Sequence, residues 1–222
     1  MRFRYLTFDC YGTLIDWKTG IEEEMEATLG HLRVGGRRLM DAYIAAEKVQ
    51  EVGYTKYREV LRRTILSMSE TLGVGINDEA ARRFAASVPR WPSFPDTKEF
   101  LRRMRALGYR LYILSNVDND LLEQTISSNG LEVDGFVTAE QVGSYKPMPA
   151  HWVRFMQVTG ARREETLHVA QSVFHDIIPT EAMGIASAWV NRYGESLPSA
   201  VAPLYVSDSL ANLGDLLEGA PR

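Results

Sequence analysis

The sequence predicts an α/β protein: a parallel sheet with helices on both faces, plus a helical insertion after the first strand. Three observations carry that expectation. Short runs rich in β-branched and aromatic residues lack polar alternation, the pattern of strands buried on both faces. They are Tyr5 to Phe8, Tyr109 to Leu114, Thr166 to Ala170, Ala186 to Val190 and a weaker Leu204 to Val206. Helical segments separate most of them, and strand alternating with helix implies parallel strands joined by right-handed crossovers. Residues 16 to 91 break the rhythm, with helical periodicity and no convincing strand.

Each element follows from local pattern. Pro95 to Leu107 sets Phe100, Leu101 and Met104 on one helical face. Asp120 to Asn129, Ala150 to Val158 and Ile177 to Met183 read as helices, ended by Gly130, Gly160 and Gly184, as a helix C-terminus favours. In the insertion Ile21, Met25, Leu29 and Leu32 recur at helical spacing. So do Leu39, Met40, Tyr43 and Ile44, then Tyr57, Val60, Leu61 and Ile65. Pro89, Pro92 and Pro95 mark the return to the sheet. The expected organisation is a discontinuous core of residues 1–15 and 92–222 and a helical cap of residues 16–91. Inserted after strand 1, such a cap lies over the C-terminal edge of the sheet, where open α/β sheets bind ligands.

The 222 residues suffice for one buried α/β core and a smaller accessory unit. Hydrophobic residues at 45% and charged residues at 24% exclude wholesale disorder. A net charge of -4 gives no electrostatic case for nucleic acid or an anionic membrane, and the arginine pairs at 37–38, 62–63 and 102–103 read as solvated helix faces. Cys10 is the only cysteine, so no intrachain disulfide forms. With no signal-like apolar segment at the start and no run long enough to span a bilayer, a cytoplasmic protein is expected.

Four polar clusters fall just after expected strands, where a parallel sheet gathers them at one rim. The first is Asp9-Cys10-Tyr11-Gly12-Thr13 and the second Ser115-Asn116. The third is Lys146-Pro147 and the fourth runs from Gln171 to Asp176. Taken singly, each has a bland reading, since an aspartate after a strand is commonly a turn former or helix cap. Cys10 adjoins Asp9 along the chain, and strand alternation directs it away from the same pocket. His175, beside Asp176, is either a proton shuttle or hydrogen-bond donor in a site, or a helix-start histidine bonded to backbone. Trp17 and Trp91 stand at the two ends of the insertion, where they either contribute to the pocket or pack the cap against the core, and they are left out of the site.

In this order and after these strands, Asp-X-X-Gly-Thr, Ser-Asn, Lys-Pro and a distal aspartate resemble the haloacid dehalogenase superfamily over nearly the whole chain. The resemblance implies a Rossmann-like core and a cap over the active site. Most members are magnesium-dependent phosphatases with a second aspartate two positions after the nucleophile and further acidic ligands in the fourth motif. Tyr11 and Ser172 occupy those positions here, leaving Asp176. Mg²⁺ prefers several hard oxygen ligands, and the alcohol leaving a phosphate ester needs a proton. A halide leaves as an anion and needs none.

The chain is therefore more similar to the L-2-haloacid dehalogenase (type II) branch, which uses no metal or other cofactor. That resemblance implies a small 2-haloacid substrate, with Asp9 as nucleophile, Lys146 holding its carboxylate and Asp176 orienting the hydrolytic water. It implies that Ser115, the Asn116 region and Ser172 line the substrate, with Tyr11 on the halide side. It also aligns Arg38 with a halide-binding cap arginine and makes a homodimer an expectation, with the Tyr- and Leu-rich cap helices as interface. The fourth motif departs from the branch's Ser-Ser-Asn-X-X-Asp, having Val173 in place of the asparagine. The competing readings are a Mg-dependent phosphatase of the same superfamily and a non-catalytic, partner-binding descendant of the fold.

Overall fold

The computed structural model describes residues 3–30, 35–50 and 53–219. Six parallel strands form one sheet in the order β3-β2-β1-β4-β5-β6. They are β1 (Tyr5–Phe8), β2 (Arg110–Ser115), β3 (Gly135–Thr138), β4 (Thr166–Ala170), β5 (Ala186–Val190) and β6 (Tyr205–Ser207). Every residue of β1 and β4 is buried, which accounts for their largely apolar character. Alternate side chains of β1 serve two cores. Leu6 and Phe8 join Phe100, Met104, Leu210 and Leu213, whereas Tyr5 joins Trp152 and Phe155 on the other face.

Four helices make up the insertion after β1: α1 (Trp17–Leu29), α2 (Gly36–Gln50), α3 (Tyr57–Leu72) and α4 (Asp78–Ala85). No strand interrupts them among the described residues. The heptad-like positions read from sequence, Ile21, Met25, Leu29, Leu39, Tyr43, Leu61 and Ile65, are buried in the main core; Leu32 lies outside the described residues. The remaining helices are α5 (Thr97–Ala106), α6 (Asn119–Asn129), α7 (Ala139–Val142), α8 (Ala150–Thr159), α9 (Ile178–Ala182) and α10 (Leu210–Gly219). A tie fixes the insertion to the sheet. Buried Asp118, in the loop after β2, accepts the backbone N–H groups of Tyr57 (2.8 Å) and Arg58 (3.0 Å) at the start of α3. The carboxylate thus satisfies helix donors that have no partner within the helix.

Five of the six strands lie where the sequence places them, β2 and β6 displaced by one residue. The sixth, β3, escapes sequence reading because it is a four-residue edge strand that opens on a glycine. Gly135 is needed there, since a Cβ would stand 2.8 Å from the Tyr112 ring of the neighbouring strand. The short α7 and the C-terminal α10 were likewise not expected. No helix among the described residues is long and apolar enough to cross a membrane.

Candidate active site

The order in which strands are added to the sheet reverses between β1 and β4, so the C-terminal ends of β1, β2 and β4 converge on one crevice. Asp9 directly follows β1, and its backbone N–H bonds Val169 O on β4 at 3.1 Å. The turn beyond it depends on Gly12, at φ +102, where a Cβ would press within 3.3 Å of the Trp17 indole nitrogen. Thr13 closes the turn, donating its hydroxyl to Asp9 Oδ2 (2.8 Å) and accepting the Gln171 N–H (2.9 Å).

Lys146 is the electrostatic centre. Its Nζ donates to Asp9 Oδ1 (2.8 Å), Asp176 Oδ1 (2.7 Å) and Leu114 O (2.9 Å), which uses all three ammonium protons. Burial disfavours the charge, but the two carboxylates outweigh it and hold the lysine pKa above its ordinary value. Burial likewise opposes the Asp176 charge, yet Lys146 and His168 prevail and keep that carboxyl well below the usual carboxylate range. Asp176 Oδ1 also meets His168 Nε2 at 2.9 Å, and His168 Nδ1 meets the Thr7 hydroxyl at 2.9 Å. Asp176 Oδ2 is buried and has no hydrogen-bond partner.

A cavity of 260 Å³ opens onto these groups. The core side supplies Asp9, Tyr11, Ser115, Asn116, Lys146, Ser172, His175 and Asp176, and the insertion contributes Tyr43, Glu47 and Tyr57. Among the described residues, no three His, Cys, Asp or Glu side chains are placed to share a metal ion.

The family model for haloacid dehalogenase-like hydrolases matches residues 3–184. The chain belongs to that family. This hydrolase is 24% identical over 225 residues to the (S)-2-haloacid dehalogenase of Pseudomonas putida, covering 96% of this chain and 95% of that one. It is also 25% identical over 235 residues to the pyrophosphatase PpaX of Bacillus mycoides, covering 98% of each. The L-2-haloacid dehalogenase of Xanthobacter autotrophicus with chloropropionic acid covalently bound shares the fold. Its TM-score is 0.85 at 21% identity, over 99% of this chain and 100% of that one.

Most residues singled out from the hydrolase's sequence meet at this cavity, but several do so in unexpected ways. Ser115 Oγ is buried with no protein partner. The Asn116 side chain is committed elsewhere: its Nδ2 donates to Lys146 O (3.0 Å) and its Oδ1 accepts the Lys146 N–H (2.7 Å). It positions the lysine. Tyr11 sends its hydroxyl to Thr125 (2.9 Å) and its ring edge-on to Trp91, so its ring rather than its hydroxyl forms wall. Ser172 is engaged with His175, bonding both its N–H (3.1 Å) and Nδ1 (3.0 Å). Burial lowers the His175 pKa, so this ring is neutral at pH 7.

Arg38 is not part of the site. It is exposed in the first turn of α2 and absent from the cavity wall. The inward face of α2 runs through Leu39, Tyr43 and Ala46. Glu47, which does reach the cavity, is nine residues further on, about 13 Å along the axis. Cys10 is fully buried outside the cavity, where burial raises its thiol pKa well above normal, so it offers no thiolate.

Trp17 and Trp91, open between pocket and packing from sequence, line the cavity; sequence reading missed Ile21, Tyr43, Glu47, Tyr57, Val117 and Gln171 as cavity wall, and His168 as the anchor of Asp176. A histidine inside an otherwise apolar strand was the available signal for His168. Tyr43 and Tyr57 had been read as core because the cavity and the core share one helical face.

Proposed function

We propose that the protein is a metal-independent 2-haloacid dehalogenase that converts short 2-haloalkanoic acids to 2-hydroxy acids. The observation that carries this reading is the buried Asp9–Lys146–Asp176 ion triad, with Tyr11 and Ser172 where a magnesium-dependent relative needs carboxylates. A carboxylate oxygen of Asp9 attacks C2, the carbon–halogen bond breaks, and halide leaves with the electron pair, forming an aspartyl ester. Lys146 holds the Asp9 carboxylate in place beforehand and afterwards stabilises charge developing on the ester oxygen. Water then attacks the Asp9 carbonyl carbon. The unpartnered Asp176 Oδ2 orients that water, receives its proton and passes it to the departing alkoxide as the acyl C–O bond breaks, which frees the hydroxy acid and restores Asp9 and Asp176. Helices α1 to α4 act as the cap, and the free Ser115 hydroxyl supports carboxylate binding.

Halide release from 2-chloropropionate, with p-nitrophenyl phosphate hydrolysis measured alongside and each repeated with EDTA, tests the assignment. Chelator-insensitive dehalogenation that Asp9→Asn abolishes is expected. Phosphatase activity lost to EDTA and restored by Mg²⁺ would place the chain with its pyrophosphatase-like relatives instead.

A further inference from the structure

Glu47 stands opposite the catalytic core, on the α2 side of the cavity. Its Oε1 accepts two hydroxyl protons, from Tyr43 at 2.8 Å and Tyr57 at 2.7 Å. Its Oε2 accepts no hydrogen bond from any described residue. The side chain stays partly accessible because it faces open space, bordering both the 260 Å³ cavity and a second cavity of 710 Å³ between insertion and core. Burial raises the carboxyl pKa, and the two tyrosine hydroxyls offset part of that rise.

The groups facing Glu47 across the catalytic cavity leave it without a cation. Asp9 and Asp176 are themselves acidic, Lys146 spends its three protons on Asp9, Asp176 and Leu114 O, and His175 is neutral. In the larger cavity Lys48 also lines the wall, with no ion pair to Glu47 among the described residues, and the Lys18 ammonium lies 3.4 Å from the Tyr193 ring centroid. A half-buried carboxylate with one oxygen turned to a cavity is a built acceptor, and it disfavours a second anion beside it. A short haloacid offers nothing to satisfy it. A longer one, whose chain runs from Asp9 towards the junction of the two cavities, reaches it.

We infer that Glu47 is a specificity-determining residue whose Oε2 accepts a hydrogen bond from a donor, an ammonium most strongly, at the end of the substrate remote from C2. The inference rests on the dehalogenase reading for the reacting end and adds the chemistry of the other end. The matching substrates are 2-halo acids of about five or six carbons bearing a terminal amine or hydroxyl.

The test uses the stable products. Calorimetric titration compares 2-hydroxyhexanoate with 2-hydroxy-5-aminopentanoate, 2-hydroxy-6-aminohexanoate and 2,6-dihydroxyhexanoate, on wild type and on the near-isosteric Glu47→Gln. At least one amino acid product should bind wild type roughly tenfold or more tightly than 2-hydroxyhexanoate, the strength of a charge-assisted hydrogen bond. The dihydroxy acid should fall between. Glu47→Gln should shrink the amino preference to about threefold or less. Equal or weaker binding of every donor-bearing acid to wild type overturns the inference, as does a preference that survives Glu47→Gln or no binding of any of the four. The wild-type comparison stands even if the variant misfolds. Halide release from 2-bromohexanoate, run on the same preparation, reports separately on dehalogenation, so failure of one reading is not mistaken for failure of the other.

Discussion

Replacing Lys146 with Met should invert the pH dependence of stability. The substitution keeps the length of the side chain and removes the ammonium that holds Asp9 Oδ1 at 2.8 Å and Asp176 Oδ1 at 2.7 Å. The Lys146 and Asp176 side chains are each 1% exposed, so solvent screens the loss little. Removing one partner of a buried ion pair costs about 3–5 kcal/mol. For a chain of this size each kcal/mol moves Tm by about 2–4 °C, so a fall of roughly 6–20 °C at pH 7 is expected. In the wild type Asp176 has a folded pKa below its unfolded value. Its contribution is present above about pH 4 and is lost as the pH falls further. Lys146, with a raised folded pKa, contributes below about pH 10 and loses that contribution only in stronger alkali. The wild-type profile from pH 5 to 8 is therefore flat with respect to this pair. In Lys146→Met, burial is no longer opposed by the ammonium, and the folded state takes up a proton that the unfolded state lacks. Stability should then rise on acidification from pH 7 to 5, by up to about 1.4 kcal/mol per pH unit for one proton. Urea unfolding at pH 5, 6, 7 and 8 gives both quantities. A loss below about 1 kcal/mol at pH 7, or a variant profile as flat as the wild type's, would refute the reasoning.

Two further perturbations follow from the same geometry. His168→Leu removes a donor from Asp176 Oδ1 and should lower kcat by about 10- to 100-fold with little change in KM, as loss of a charge-assisted hydrogen bond predicts; an unchanged kcat in steady-state assays would contradict a positioning role. Asp118→Ala uncaps α3 and should cost about 1–2 kcal/mol in chemical unfolding while raising KM, because α3 carries Tyr57 into the cavity wall.

How much was legible in the sequence depended on whether a signal was local. Strands β1, β4 and β5 announce themselves because burial on both faces leaves them mostly apolar, with only the small hydroxyls of Thr7, Thr166 and Ser187 and the His168 ring among them. Asp9, Lys146 and Asp176 were legible because each follows a strand end or closes a short motif, and parallel strands bring such positions together. The strand β3 was not legible, since four residues at a sheet edge carry too little pattern. Nor was the insertion's side of the site. Periodicity assigns Tyr43 to an inward face but cannot say that the face meets a cavity, and Glu47, four residues on, looks like any solvated helix glutamate until Tyr43 and Tyr57 are seen to hold it. Arg38 shows the converse. It was placed by analogy along the chain, and the helix turns it to solvent.

The central claim is that Asp9 is the nucleophile, and the oxygen of the product tests it most directly. Displacement leaves one Asp9 oxygen bonded to C2, and attack of water on the Asp9 carbonyl carbon then delivers that enzyme oxygen to the hydroxy acid. In a single turnover in H₂¹⁸O with enzyme in excess, mass spectrometry should find the label in the peptide containing Asp9 and essentially none in the product. Label in the product after one turnover, with an unlabelled Asp9 peptide, would mean that water attacks C2 directly and that Asp9 is not the nucleophile.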